Sequence, residues 1–204
     1  MTRFLPLVCA LALCACSPET SELPYYRTAS LTPEWLNQNE AQAAHEIGDF
    51  ALVNQDGDSV TGQDLEGQVY VANFFFVRCT AICPTMRSNL GKVQDAFADD
   101  PGVKLISHTI DPESDSVSIL RGYAALNKIK SGKWHLLTGS HDEIYGLARD
   151  SYFAELDDLG TGFLHTENFY LVDGQGHLRG VYNGTLEFDV ERLVEDIRVL
   201  RHRA

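Results

Sequence analysis

Hydrophobic and polar positions along this chain follow two periods, and the change between them marks where elements meet. Residues 69–76 read Val-Tyr-Val-Ala-Asn-Phe-Phe-Phe, an almost unbroken apolar run rich in β-branched and aromatic residues. That pattern predicts a strand buried on both faces. Downstream, Met86, Leu90, Val93 and Phe97 recur at three- and four-residue steps, which predicts a helix over about 84–98. Upstream, Ile47, Phe50, Leu52 and Val53 alternate with polar residues and run into Gln55-Asp56-Gly57-Asp58. A strand, a hairpin-like turn and a short helical turn over 61–65 follow from that. Further strands are expected at 103–110 and 134–137. Helices are expected around Val117, Leu120, Tyr123, Ala124 and Leu126, and around Ile144, Leu147 and Ala148. Residues 169–172 and 178–182 flank Asp173-Gly174-Gln175-Gly176, the strongest hairpin signal in the chain, and Val190, Leu193, Val194 and Ile197 predict a closing helix over 188–200.

Strand and helix alternate, so the connections are right-handed parallel crossovers, and a hairpin and a helix end the domain. That order is the thioredoxin-like arrangement: an α/β fold of three layers, with a mixed central sheet flanked by helices. A single domain over 46–204 accommodates it, without internal repeats.

The first 45 residues have a different character. After Arg3 come twelve residues, 4–15, that are apolar apart from the ring of Pro6. A spanning helix needs about 20 such residues, so 1–15 is expected to be a signal peptide. It ends Leu13-Cys14-Ala15-Cys16, which resembles the lipobox of bacterial lipoproteins. That resemblance implies that Cys16 becomes the mature N-terminus and carries lipid, in a bacterial cell envelope with the domain facing the periplasm or extracytoplasmic space. Residues 16–45 are polar and carry Pro18, Pro24 and Pro33; they are expected to form a tether, with a short helix over 33–44 capped by Thr32.

Composition narrows the partners. Net charge is −13 and no basic stripe is present, which excludes a nucleic-acid binder. Of five cysteines, the lipobox resemblance implies that Cys9 and Cys14 leave with the leader and that Cys16 is acylated, so Cys79 and Cys83 would remain. In an oxidising compartment a lone C-x-x-x-C pair is bridged, metal-bound or redox-cycled. It sits where a central strand hands over to a helix, with Pro84 in the first turn. Helix-start N–H groups and the Arg78 cation both favour thiolate there, where a thiol pKa of about 8.5 falls to roughly 3.5–7.5. Such a pair can form a short-loop disulfide, exchange disulfides, or grip a soft metal such as Cu(I).

Several motifs now converge. Residues 73–86, Asn-Phe-Phe-Phe-Val-Arg-Cys-Thr-Ala-Ile-Cys-Pro-Thr-Met, resemble the metal-binding loop of the SCO/SenC proteins. Asp111-Pro112-Glu113-Ser114-Asp115, Trp134-His135-Leu136-Leu137-Thr138-Gly139, and His165 before Asn168-Phe169-Tyr170-Leu171-Val172-Asp173 match in the same order. Thr80 departs from the proline that many members carry after the first cysteine. The resemblance implies a membrane-tethered copper protein that delivers copper to, or prepares, the binuclear copper site of cytochrome c oxidase. It implies Cys79, Cys83 and His165 as ligands of Cu(I) or Cu(II), and as partner the oxidase's copper-bearing subunit or another copper/thiol protein.

Thiol–disulfide exchange through Cys79 and Cys83 on a copper-receiving protein is the alternative. A peroxiredoxin-type site is disfavoured because Phe76 stands where that loop has proline. Asp111 and Asp115 read as helix-capping residues, with contact to the metal loop or a partner as the other option. His108, His135, His141 and His177 read as packed or solvated.

Overall fold

The computed structural model describes residues 23–154 and 166–202. The elements run α1 (Gln38–Ala41), β1 (Ala51–Val53), β2 (Ser59–Thr61), β3 (Val69–Phe75), α2 (Cys83–Ala96), β4 (Val103–Thr109) and α3 (Val117–Leu126). They continue β5 (Trp134–Leu137), α4 (His141–Asp150), β6 (Asn168–Val172), β7 (Leu178–Asn183) and α5 (Glu187–Arg201). No helix among the described residues is long and apolar enough to cross a membrane.

β3 is central in a five-stranded sheet ordered β5-β4-β3-β6-β7. β4 pairs parallel to β3 and to β5, whereas β6 and β7 run antiparallel to their neighbours β3 and β6. Every residue of β3 is buried, as expected of a strand covered on both sides. Its side chains alternate between two cores. Val69, Val71 and Phe75 join Met86, Leu90 and Val93 of α2, Leu120 of α3, and Leu193 and Ile197 of α5. Tyr70, Ala72 and Phe74 join Ile144 and Ala148 of α4 and Phe50, Leu52 and Val60 of the β1–β2 hairpin. The expected mixed sheet between helical layers is therefore present. At about 25 cal/mol per Å² of apolar surface, each fully buried aliphatic side chain here contributes about 1.5–3 kcal/mol.

The β6–β7 hairpin turns through Gly176 at φ +85°, which disfavours a side chain. Asp173 stabilises it by accepting from the N–H groups of Gln175 and His177, both at 3.0 Å. α2 begins at Cys83 and ends at Ala96, slightly earlier than expected. The helix expected over 33–44 is only four residues long. Asn37, not Thr32, caps it: its Oδ1 accepts from the N–H groups of Asn39 and Glu40, and Glu40 Oε2 accepts from Asn37 N–H.

The described part of the expected tether lies on the domain. Leu23 is buried in the α2/α5 core, Tyr26 N–H donates to the Leu178 carbonyl, and Arg179 donates to the carbonyls of Leu23 and Pro24.

Of the four histidines expected to be packed or solvated, His135 is half-buried beside Asn54 and His141 stacks on Tyr145 at 3.9 Å. His177 is buried between Asp173 and Glu46. His108 is fully buried, stacked on Phe74 with Phe50 and Tyr152 alongside, and among the described residues neither ring nitrogen has a hydrogen-bond partner. Burial pushes it down to about 3, so it stays neutral in the fold while the unfolded chain takes up a proton near 6.5. Below about pH 6.5 the unfolded state then binds more protons, and stability falls with acidification at up to about 1.4 kcal/mol per pH unit. His108→Phe is expected to flatten the stability-versus-pH curve between pH 7 and pH 5, read from urea midpoints. Equal losses in both proteins would remove His108 as the cause.

Candidate functional site

The site is built at the ends of two parallel strands. β3 and β4 finish level, with Phe75 opposite Thr109, and Ile110 N–H donates to the Phe75 carbonyl at 2.8 Å. From there the chain turns through 76–82 and enters α2, with Cys83 as its first residue and Pro84 in the first turn. Cys79 is half-buried, Cys83 is buried, and both are free thiols.

The two thiols influence each other's ionisation, and their surroundings drive their pKa values apart. Burial alone pulls Cys79 up. Hydrogen bonds from the Cys83 thiol and from the backbone at Cys83, Ala81 and Ile82 outweigh that and bring it below the ordinary thiol value. These amides belong to the last loop residues and the first residue of α2, at the helix start where partial positive charge gathers. Cys83 is pushed up to about 12, by burial first and then by the hydrogen bond and charge of Cys79. The half-buried thiol is thus the more acidic of the two and the buried thiol the less acidic.

The cation expected beside Cys79 points elsewhere. Arg78 Nη2 donates to Asp111 Oδ2 at 2.7 Å and to Ser114 Oγ at 3.0 Å, which holds the Asp111 carboxyl below its usual range. Arg78 does not figure among the groups that lower Cys79. The capping expected of Asp111 and Asp115 is also overturned. Ser116 is the N-cap of α3 and makes no side-chain capping bond. Asp115, 1% exposed, accepts instead from Val77 N–H at 3.0 Å and from Thr109 Oγ1 at 2.6 Å. Burial raises its pKa, partly offset by those bonds. Both carboxylates therefore hold the cysteine loop in place.

Beneath Cys83 lies a cavity of about 10 Å³, room for one water at most, lined in part by Asn73, Ser107, Tyr123 and Trp134. A buried polar chain crosses it: Trp134 Nε1 donates to Ser107 Oγ at 2.8 Å, and Ser107 Oγ donates to Asn73 Oδ1 at 2.6 Å. Tyr123, pushed up to about 12 by burial and then by the nearby thiols, closes the side toward α3. None of these was expected as a site residue, although Asn73 and Trp134 lie in the motifs that carry the family resemblance. The signal available was Asn73, a polar residue inside an otherwise apolar strand.

Cys79 and Cys83 are brought together as expected. Among the described residues no third cysteine, histidine or carboxylate joins them in a metal-holding group. His165 and Cys16 lie outside the described residues. The described chain resumes at Thr166, and β6 starts at Asn168, at the end of the sheet where β3 finishes.

A dithiol at the strand-to-helix corner of a thioredoxin-like sheet defines the class. The SCO1/SenC family pattern matches residues 38–201, and the chain belongs to that family. It is 32% identical over 158 residues to the SCO1 protein homolog of Bacillus subtilis, spanning 76% of this chain and 82% of that protein. BsSco, described as a member of the Sco family of cytochrome c oxidase assembly proteins with a disulfide switch, superposes with a TM-score of 0.67 at 31% identity, over 76% of this chain and 93% of its own. Copper-bound ScoI of Arabidopsis thaliana gives a TM-score of 0.62 at 28% identity, over 76% and 98% respectively.

Two outcomes are expected. Iodoacetamide at neutral pH should alkylate Cys79 first, by peptide mass spectrometry; modification of Cys83 at the same rate would contradict the asymmetry. Asp115→Ala should cost about 1–3 kcal/mol by leaving Val77 N–H unpaired, and Asp115→Asn, which keeps an acceptor oxygen, should cost less in urea denaturation.

Proposed function

We propose that this chain is a membrane-tethered copper carrier that delivers copper to, or prepares, the binuclear copper site of cytochrome c oxidase. The observation that carries the reading is the pair of free, adjacent thiols at the start of α2, in a member of a family with copper-bound structures. The donor set fits: two sulfurs suit Cu(I), and a neutral imidazole added to them also accommodates Cu(II). Cys79 and Cys83 would hold the cargo ion with His165 as third donor, leaving room for a recipient's ligand. Two features favour that histidine: it precedes Thr166 by one position, and β6 begins at the cysteine end of the sheet. Each thiol must lose its proton to bind, and Cys79 is closer to doing so. The lipobox-like ending at Cys16 supports the tether, with the domain facing the periplasm or extracytoplasmic space of a bacterial envelope.

A second reading is favoured by the split between the thiols. A Cys79 thiolate attacking a recipient's disulfide would form a mixed disulfide. Cys83, on losing its proton, would then attack the Cys79 sulfur, release the reduced recipient and leave a Cys79–Cys83 bridge for an envelope thiol reductant to reopen. The disulfide switch described for BsSco is consistent with such a bridge.

Anaerobic titration of the reduced protein with Cu(I), and with Cu(II) followed by absorption and paramagnetic resonance, separates the readings. One equivalent should bind with thiolate and imidazole signatures. Cys79→Ser/Cys83→Ser should abolish binding, and His165→Ala should remove the imidazole signature with dithiol exchange intact. Unaltered copper binding without both cysteines would overturn the carrier reading. Full support of oxidase assembly by a copper-free His165→Ala protein would favour the reductant.

A further inference from the structure

The N-terminal segment joins the domain at one pole of the sheet. Arg179, near the start of β7, is buried, and it donates through Nη2 to the Leu23 carbonyl at 2.7 Å and through Nε to the Pro24 carbonyl at 3.0 Å. Its Nη1 donates to Asp173 Oδ2 at 2.8 Å, and its Cζ lies 3.8 Å above the Tyr25 ring. The Tyr25 ring also meets His177 edge-on. Tyr25 and Glu34 exchange backbone hydrogen bonds, which closes the segment on itself before the chain rejoins the hairpin, where Glu46 bridges His177. Leu23 is 8% exposed in the α2/α5 core.

Topology says which pole this is. Val172 lies opposite Tyr70 and Gly67 N–H donates to the Gly174 carbonyl, so the 173–176 hairpin sits where β3 begins. Cys79 and Cys83 follow the other end. β3 has seven residues, so about 23 Å of strand separates the two poles.

Leash length then decides orientation. Cys16 precedes Leu23 by seven positions, a reach of at most about 25 Å. Without the clamp the next contact with the domain would be Leu31, packed on the α4-side core fifteen positions from Cys16, a reach of about 50 Å, twice as long and enough for the domain to turn over. Resting on the reading of Cys16 as the lipid-bearing residue, we infer that residues 23–26 are a strap, locked by Arg179, that holds the 173–176 hairpin pole against the bilayer carrying the chain's own anchor and points the Cys79/Cys83 corner away from it. The face toward the lipid includes the exposed hairpin tip at Gln175. The face toward soluble or protruding partners includes the exposed Glu113 beside the cysteine loop.

The test uses the full lipidated chain in phosphatidylethanolamine/phosphatidylglycerol vesicles that contain a headgroup-nitroxide lipid. A fluorophore is placed through p-azidophenylalanine at position 175 or 113. The label at 175 should lose most of its emission and the label at 113 should keep most of its own. Insertion of ten Gly/Ser residues between Ser21 and Glu22 leaves every described contact in place and should erase the contrast. Arg179→Ala should do the same where circular dichroism shows it folded. Equal quenching at both positions, or stronger quenching at 113, overturns the inference. A chain with a hexahistidine tag in place of residues 1–16, on nickel-chelating lipid, anchors the same point without acylation. Contrast there with no flotation of the native chain would sink the lipidation reading while upholding the strap; no contrast there sinks the strap itself.

Discussion

One buried carboxylate ties the functional corner together. Asp115 reaches back from the start of α3 to the amide of Val77 and the hydroxyl of Thr109, both on a single oxygen. Nothing else described joins the exit of β3, the exit of β4 and the approach to α3 at one atom. Parallel pairing brings the two strand ends level, but the loop between Phe75 and Cys83 has no ladder of its own to hold it. A carboxylate in that position costs desolvation, visible in its raised pKa, and two short bonds offset the cost. Asp111 adds an outer brace through Arg78, so the cysteine loop is pinned at Val77 and Arg78, immediately before Cys79.

Given that frame, burial and hydrogen bonding together divide the labour between the cysteines. Four residues apart, they sit on either side of the point where the chain becomes helical. Cys79 stays at the margin of the core, bonded by the amides of Ala81, Ile82 and Cys83 at the start of α2, and Cys83 enters the core beside Met86 and Leu90. A more acidic, half-buried thiol beside a less acidic, buried one suits stepwise chemistry, whether a soft cation is gripped one sulfur at a time or a disulfide is opened and resolved. The corner cation contributes by fastening the loop rather than by direct contact with sulfur, because a carboxylate within hydrogen-bond reach is a better partner for a guanidinium than a half-buried thiol.

The fold was legible in the sequence wherever a period was long. The run over Val69–Phe75 and the steps of α2 and α5 identified elements whose own patterns reveal how they are buried. Local rules misled where a polar residue had a distant partner. Asp111 and Asp115 have the composition of a helix start, yet their acceptors serve residues 33 and 38 positions away. Thr32 stood before a proline and looked like a cap, but the helix forms only after Asn37 because the preceding residues are drawn into the Tyr25–Glu34 pairing. The stretch over 23–26 carries no strand pattern, and its docking depends on Arg179, more than 150 positions downstream.

By itself, then, the sequence determined the order and type of the elements, the membership of the SCO1/SenC family, and the placement of two cysteines at a strand-to-helix junction. Each of these depends on spacing within a few turns or on motif order along the chain. Only the tertiary structure decided which cysteine is the more acidic, where Arg78 points, what the two aspartates hold and where the N-terminal segment is fastened. Those outcomes depend on desolvation and on hydrogen bonds between groups that meet only once the sheet has formed, and no local pattern encodes them.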